Sequence, residues 1–399
     1  MTQTAQRPAW LVLEDGTAFN ARSIGAEGET FGEVVFNTSM TGYQEVLTDP
    51  SYKGQLVCMT YPHIGNYGVN EEDAESRRLL VEGFILRQLS PVASNCRAQE
   101  ALDAYLKRHR IIAIDGVDTR ALTLTLRRQG SMKGGISTME SDPKRLWDRV
   151  RAFPHIVGID LVKDVTCGAS YEWPSSSSEF RVPSSGLAGN PPARLLQPPE
   201  QAQPAAHNFS VVVMDFGVKY NILRQLVSLG CRVTVVPAST TAAQVLAKKP
   251  DGVVLSNGPG DPAAVPYAVK TIRGLMGQVP MMGICLGHQL LGLAYGGETF
   301  KLKFGHHGGN HPVHDLASGS VQITTQNHNF AVRVESIPDE QARVTHANLN
   351  DGTVEGMRHT ELPIFSLQYH PEAAPGPHDA RPLFQQFIKL MESPSGSAG

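Results

Sequence analysis

Residues 281–295 read MMGICLGHQLLGLAY, and this stretch decides the fold. A short apolar run ends at Cys285, and apolar residues at helical spacing follow from Leu286 to Tyr295. A buried strand therefore feeds a helix through a turn flanked by Gly283 and Gly287. Working back toward the N-terminus, the same alternation repeats three times. GVVLSNGPG precedes a helix over Ala264 to Met276, CRVTVVP one over Ala242 to Lys248, and SVVVMDFG one over Tyr220 to Leu229. Strands alternating with helices imply βαβ units, so residues 209–392 are expected to form an α/β domain on a doubly wound, mostly parallel sheet. Ligands of such sheets sit at the carboxyl ends of the strands, and two of those ends are NGPGDP and GICLGHQ.

The chemistry concentrates at these ends. Gly283 to Gly287 is G-x-C-x-G, the form of a nucleophile elbow with cysteine in place of serine. Flanking glycines permit a strained turn close to neighbouring elements. The thiol then faces the start of the next helix, whose free N–H groups and dipole favour a thiolate. The Leu286 amide is placed to meet a developing oxyanion. A cysteine nucleophile needs a base, and the base needs an orienting group. Tyr369-His370-Pro371-Glu372 follows a strand-like IFSLQ run and supplies both. On extended chain His370 and Glu372 point to one side. Gly258 and Gly260 lie in a tight turn that exposes backbone N–H groups, suited to a second oxyanion donor or a carboxylate contact. No Lys-Ser/Thr follows them, so this is not a P-loop. The histidine-rich stretch 303–314 lacks cysteine and has poor chelating spacing. It reads as a glycine-rich surface loop near the cleft, with no metal.

Upstream, residues 170–208 hold seven of the 27 prolines and read as a Pro/Ser-rich linker, or over their first half as a loop ordered on a domain surface. Residues 1–169 are expected to form a smaller α+β domain with an antiparallel β core. Ala9 to Leu13, Val34 to Asn37, Gln55 to Tyr61 and Ile111 to Ile114 are its strands; Asn95 to Lys107, Thr119 to Gln129 and Asp142 to Ala152 are its helices. TGYQEVLTDPSY reads as a loop around Asp49-Pro50. Residues 393–399 read as a frayed tail.

Composition narrows the function classes. A length of 399 residues fits two or three domains. A formal charge of −3 disfavours nucleic acid as main partner. No apolar run reaches the ~20 residues that cross a bilayer. Five scattered cysteines without a CxxC pair point to a reducing, cytoplasmic compartment.

The motifs SNGPGDP, GICLGHQLL and HPEA make Ser210 to Leu390 resemble a class I (triad) glutamine amidotransferase. GETFGEVVFNTSMTGYQEVLTDPSYKGQ, TYPHIGNYG, GVDTRALT and KFGHHGGNHPV are similar to the small, glutamine-hydrolysing subunit of carbamoyl-phosphate synthase. Together they cover nearly the whole chain. The resemblance implies that Cys285 forms a γ-glutamyl thioester, His370 moves protons and Glu372 orients His370. It places L-glutamine against Ser51, Gly258, Gly260, Leu286, Gln289, Asn327, Asn329 and Phe330. It also implies that this chain binds no cofactor of its own. ATP and Mg then belong to a large synthetase subunit, joined in a heterodimer or higher assembly through the N-terminal domain, with no nucleic acid or membrane partner. One departure stands out: residues 326–330 read QNHNF where the family usually has QNHGF. Asparagine tolerates the positive φ that such a glycine serves, so Asn329 is expected to keep a backbone contact with glutamine.

Overall fold

The computed structural model describes residues 7–174 and 209–392. The first of these segments is built on a closed seven-stranded barrel. Its strands run in the order Pro8–Leu13, Ala18–Ser23, Ile112–Asp115, Gly83–Ile85, Gln55–Met59, Glu29–Asn37 and Met132–Ser137, the last pairing with the first. The expected antiparallel core needs correction. Glu29–Asn37, Gln55–Met59, Gly83–Ile85 and Ile112–Asp115 pair in parallel with one another. The segments between them, 38–54, 60–82 and 86–111, are long enough for the crossovers that parallel neighbours require. Period two shows why the strands read as apolar throughout. Leu11, Leu13, Val34, Leu56, Cys58, Ile85 and Ile114 fill one side, while Val35, Val57, Met59 and Phe84 pack on the other.

Local structure departs from expectation at three places in this half. The helix expected from Asn95 starts only at Leu102, because 95–101 turns back to bridge Val69 to Glu100. TGYQEVLTDPSY is no loop: Tyr43–Thr48 is a helix and Pro50–Tyr52 a 3₁₀ turn. Residues Tyr171–Trp173, assigned to the linker, add an antiparallel strand beside Cys231–Pro237 and bury Trp173. The rest of the linker beyond residue 174 and the tail 393–399 lie outside the described residues.

The second segment supplies all but one strand, Tyr171–Trp173, of a ten-stranded sheet. Its centre is parallel and doubly wound, in the order Cys231–Pro237, Phe209–Asp215, Gly252–Leu255, Met281–Ile284, Ile364–Leu367. "Mostly parallel" holds for that centre only. Beyond Ile364–Leu367 the strands Val354–His359, Ala342–Asn348, Glu298–Asp315 and Val321–Arg333 are antiparallel. Alternate residues of the first strand serve two cores. Val212 and Met214 meet helices Ala242–Leu246, Pro266–Leu275 and Leu286–Ala294 on one face. Val211 and Val213 meet Tyr220–Ser228 and Pro382–Glu392 on the other. The strand order reverses at Phe209–Asp215, the switch point that leaves a crevice at the carboxyl ends.

The histidine-rich stretch is also corrected. It lies within Glu298–Asp315, a strand that pairs with Val321–Arg333 and reaches the barrel. Thr38 N donates to His307 O at 3.1 Å and Ser131 N to Lys303 O at 2.7 Å. Its glycines coincide with register breaks between Lys301 and His306 and between Gly308 and His311, so they bend a strand that spans two curved sheets.

Candidate active site

The strand Met281–Ile284 ends at Cys285, which takes φ 53° and ψ −104°. A non-glycine residue there stores about 1–3 kcal/mol of strain. The surroundings hold it: Cys285 N donates to Leu367 O at 2.8 Å, and Gly287 N to Ser256 O at 3.1 Å. A Cβ at Gly287 would stand 2.2 Å from Leu255 O, so only glycine lets the helix begin this close to the sheet. Cys285 is buried, with Sγ 3.5 Å from Asn327 O. Leu286 opens the helix, and its N–H is one that a helix leaves without an internal partner.

His370 leaves the neighbouring strand Ile364–Leu367 and is buried beside the turn, its backbone N–H held by Thr325 O at 2.9 Å. Its Nδ1 lies 2.6 Å from Glu372 Oε1, the pairing expected from H-P-E. Its Nε2 has no hydrogen-bond partner among the described residues. Burial pulls this imidazole down, but Glu372 and Cys285 outweigh it and hold the ring up at about 10. Burial pushes Glu372 up, while Lys219 and His370 bring it down to about 2. The resting pair is therefore imidazolium and carboxylate.

Lys219 was not singled out by sequence reasoning. It is 1% exposed, and its Nζ sits 2.9 Å from Glu372 Oε1 while also donating to Ala373 O. Burial opposes its charge, but Glu372, Asp49 and Glu75 together raise its pKa. The only signal in the sequence was a lysine just past the first strand's carboxyl end, where a sheet of this kind collects its functional groups.

The barrel closes the site. Lys219 N donates to Asn257 Oδ1 at 3.0 Å, and Asn257 Nδ2 donates to Ser51 Oγ at 2.9 Å. Ser51 N donates to Asp49 Oδ1 at 2.9 Å, and Asn327 Nδ2 donates to Asp49 Oδ2 at 2.7 Å. Since Asn327 O faces Cys285 Sγ, the chain of contacts returns to the thiol after crossing both halves of the protein. Asp49, like Lys219, was missed: before an X-Pro turn it looked like turn chemistry. The other expected binding residues also converge. Gln289 Nε2 donates to Phe330 O at 2.7 Å, one helical turn after Cys285. A Cβ at Gly258 would meet Phe216 O at 2.2 Å and Leu286 Cδ2 at 2.8 Å, and Gly260 adopts φ 85°. The positive φ expected at Asn329 is not observed. The residue lies in the strand Val321–Arg333, and its side chain turns to the barrel, donating to Glu33 Oε2 at 3.1 Å.

His306, His328 and Glu355 bring one ligand atom each within 4.8 Å of one another. Protein groups already engage Glu355 and His328, while His306 Nδ1, 3.7 Å from Glu355 Oε1, has no hydrogen-bond partner among the described residues. Glu355 accepts from Asn348 at 2.7 Å and Gln326 at 2.9 Å, and His328 lies at hydrogen-bond distance from Phe330 O and Gln326 Oε1. His306 Nε2 contacts Asp351 at 2.9 Å; burial opposes its charge, but Asp351 and Glu355 hold it up at about 9.

Comparison with known proteins places both halves of the chain. Residues 11–136 match the small-chain CPSase domain of carbamoyl-phosphate synthase, and residues 212–390 match glutamine amidotransferase class-I. A carbamoyl phosphate synthase small chain from Syntrophotalea carbinolica is 54% identical over 98% of this chain and 100% of its own length. The chain belongs to the carbamoyl-phosphate synthase small-chain family. A small chain from Salmonella typhimurium is 52% identical over 98% of this chain and 99% of its own. A chloroplastic small chain from Oryza sativa is 52% identical over 97% of this chain and 84% of its own. The family's two regions thus correspond to the two halves that meet at Cys285, Asp49 and Ser51.

Proposed function

We propose that this chain hydrolyses L-glutamine to glutamate and ammonia and passes the ammonia to a large synthetase subunit. There it is joined with bicarbonate, at the cost of two ATP, to give carbamoyl phosphate for arginine and pyrimidine synthesis. The observation that carries the reading is the strained Cys285 turn beside the His370–Glu372 pair, closed by Asp49 and Ser51 of the barrel.

In this reading the Cys285 thiolate attacks the side-chain amide carbon of glutamine. The carbonyl electrons move to oxygen, where the N–H groups of Leu286 and of the Gly258 turn offset the developing charge. His370 gives its proton to the amide nitrogen, the C–N bond breaks, and ammonia leaves a thioester. A water molecule then yields a proton to His370 and attacks the thioester carbon; the C–S bond breaks and glutamate departs. Glu372, steadied by Lys219, keeps the ring oriented through both halves. Ser51, Gly258, Gly260, Gln289, Asn327, Asn329 and Phe330 hold the rest of the substrate.

Ammonia released into water at neutral pH would take a proton and lose its nucleophilicity, so transfer to the partner must be sheltered. ATP and Mg act on the large subunit in a heterodimer or a multiple of it, in the cytoplasm. No described helix is long and apolar enough to cross a membrane. The test is glutamate release by the chain alone and then with the large subunit, bicarbonate and ATP. Strong stimulation together with carbamoyl phosphate formation supports the coupled reading. High activity indifferent to the partner replaces it with a free amidase.

A further inference from the structure

Two side-chain amides on one strand face the same buried imidazole, and the barrel fixes the orientation of both. Asn327 gives Nδ2 to Asp49 and turns Oδ1 to His307 Nδ1, 2.9 Å away. Asn329 gives Nδ2 to Glu33 and turns Oδ1 to His307 Nε2, 3.0 Å away. Flipping either amide would set its oxygen against a carboxylate oxygen, so neither can turn. His307 is 2% exposed and stacks on Tyr52 with ring centroids 5.9 Å apart. The charged groups around the cluster are Asp49, Glu33, the Lys301 ammonium paired with Glu33, and His306. Burial dominates and takes His307 down to about 4, against the pull of the two amides.

At neutral pH the ring then carries one proton, and two fixed amide oxygens compete for it. The two claims are unequal. Asn327 carries the carbonyl that Cys285 Sγ faces, and its amide is tied to Asp49 and so to Ser51. Asn329 leads only to Glu33, which Lys301 already pairs.

We propose that His307 is a positioning residue of the glutamine site, whose Nδ1–H holds Asn327 against the thiol, and that Asn329 is a rival acceptor on its other nitrogen. This rests on the glutaminase reading. The ring's role is to hold one wall of the pocket at a fixed distance from Cys285, without touching the reacting atoms.

The test has two arms. Two-bond proton–nitrogen spectra of the full chain carrying [15N]histidine, with His307→Asn used for assignment, report the tautomer directly at pH 7. Protonation at Nδ1 alone is expected; protonation at Nε2 alone, or at both nitrogens, overturns the proposal. The second arm is glutaminase kinetics. Asparagine places its amide nitrogen near Nδ1 and glutamine near Nε2, so the two variants keep opposite ends of the ring. His307→Asn should keep KM for glutamine within about threefold, whereas His307→Gln should raise it about tenfold or more, with kcat moving less, as for a lost buried hydrogen bond. Equal KM values in the two variants, or the reverse order, overturn it. A parent chain that released no glutamate would instead sink the glutaminase reading and leave the tautomer measurement standing.

Discussion

Asp49→Asn changes one atom of a side chain and reverses one hydrogen-bond polarity at the centre of the seam. Asp49 is 5% exposed and accepts twice, from Ser51 N at 2.9 Å and from Asn327 Nδ2 at 2.7 Å. Both partners are donors, and both are held elsewhere: Ser51 by Asn257, Asn327 by His307. Asparagine offers one oxygen, so its NH2 group must confront either the Ser51 amide or the Asn327 amide. A hydrogen bond to a charged acceptor contributes about 1.5–3 kcal/mol, and a buried donor left unmet costs about 1–3 kcal/mol. Part of that loss is recovered when the seam relaxes, which leaves about 2–3 kcal/mol at the site, or about 30- to 150-fold in kcat/KM. Because Ser51 and Asn327 are both read as glutamine contacts, the loss is expected mainly in KM. Steady-state glutamate release measures it, with ammonia-dependent synthesis by the reconstituted complex as a control that the partner's chemistry is intact. A D49N chain that folds and keeps kcat/KM within about threefold would refute the idea that the barrel completes the site.

Three further outcomes are expected. Cys285→Ser abolishes glutamine-dependent synthesis, by about a thousandfold or more, and leaves ammonia-dependent synthesis by the complex; normal glutaminase activity in it would remove Cys285 as nucleophile. The His370 imidazolium persists up to about 10 because Glu372 and Cys285 outweigh burial, so proton donation to the leaving group fails as pH rises through that value. Glu372→Gln removes the leading upward influence, and the alkaline limb of kcat/KM should move down by about one unit or more; a limb that stays in place argues against Glu372 as the orienting group. Phe387→Ala, at a fully buried position under the central sheet, should cost about 3–5 kcal/mol in denaturant unfolding, and a loss below about 1 kcal/mol would mean that this face of the sheet does not depend on the C-terminal helix.

Local pattern carried much of this protein. The helices expected over Thr119 to Gln129 and Asp142 to Ala152 stand as Thr119–Gln129 and Pro143–Ala152, each opened by an aspartate cap. The four strand–helix repeats of the second half stand in order, because continuous apolar strands and 3.6-residue periodicity are both local signals. What failed was non-local. Strand direction in the barrel depends on crossovers that leave no mark within the strands themselves. Residues 303–314 read as a loop because their glycines and histidines suit neither regular period, yet they lie in Glu298–Asp315, one of the two strands on which the halves meet.

The residue spacing by itself placed Cys285 on a strand-to-helix turn and His370 two residues from Glu372, since chain geometry alone puts those groups in reach of one another. Only the tertiary structure decided what surrounds them. Lys219 reaches Glu372 from a different strand end, and Asp49 reaches Asn327 from the other half of the chain, 278 residues away. The first contact depends on the order of strands within the amidotransferase sheet, and the second on how the barrel seats against that sheet. That seating is set by the burial of a whole surface, which no single motif encodes.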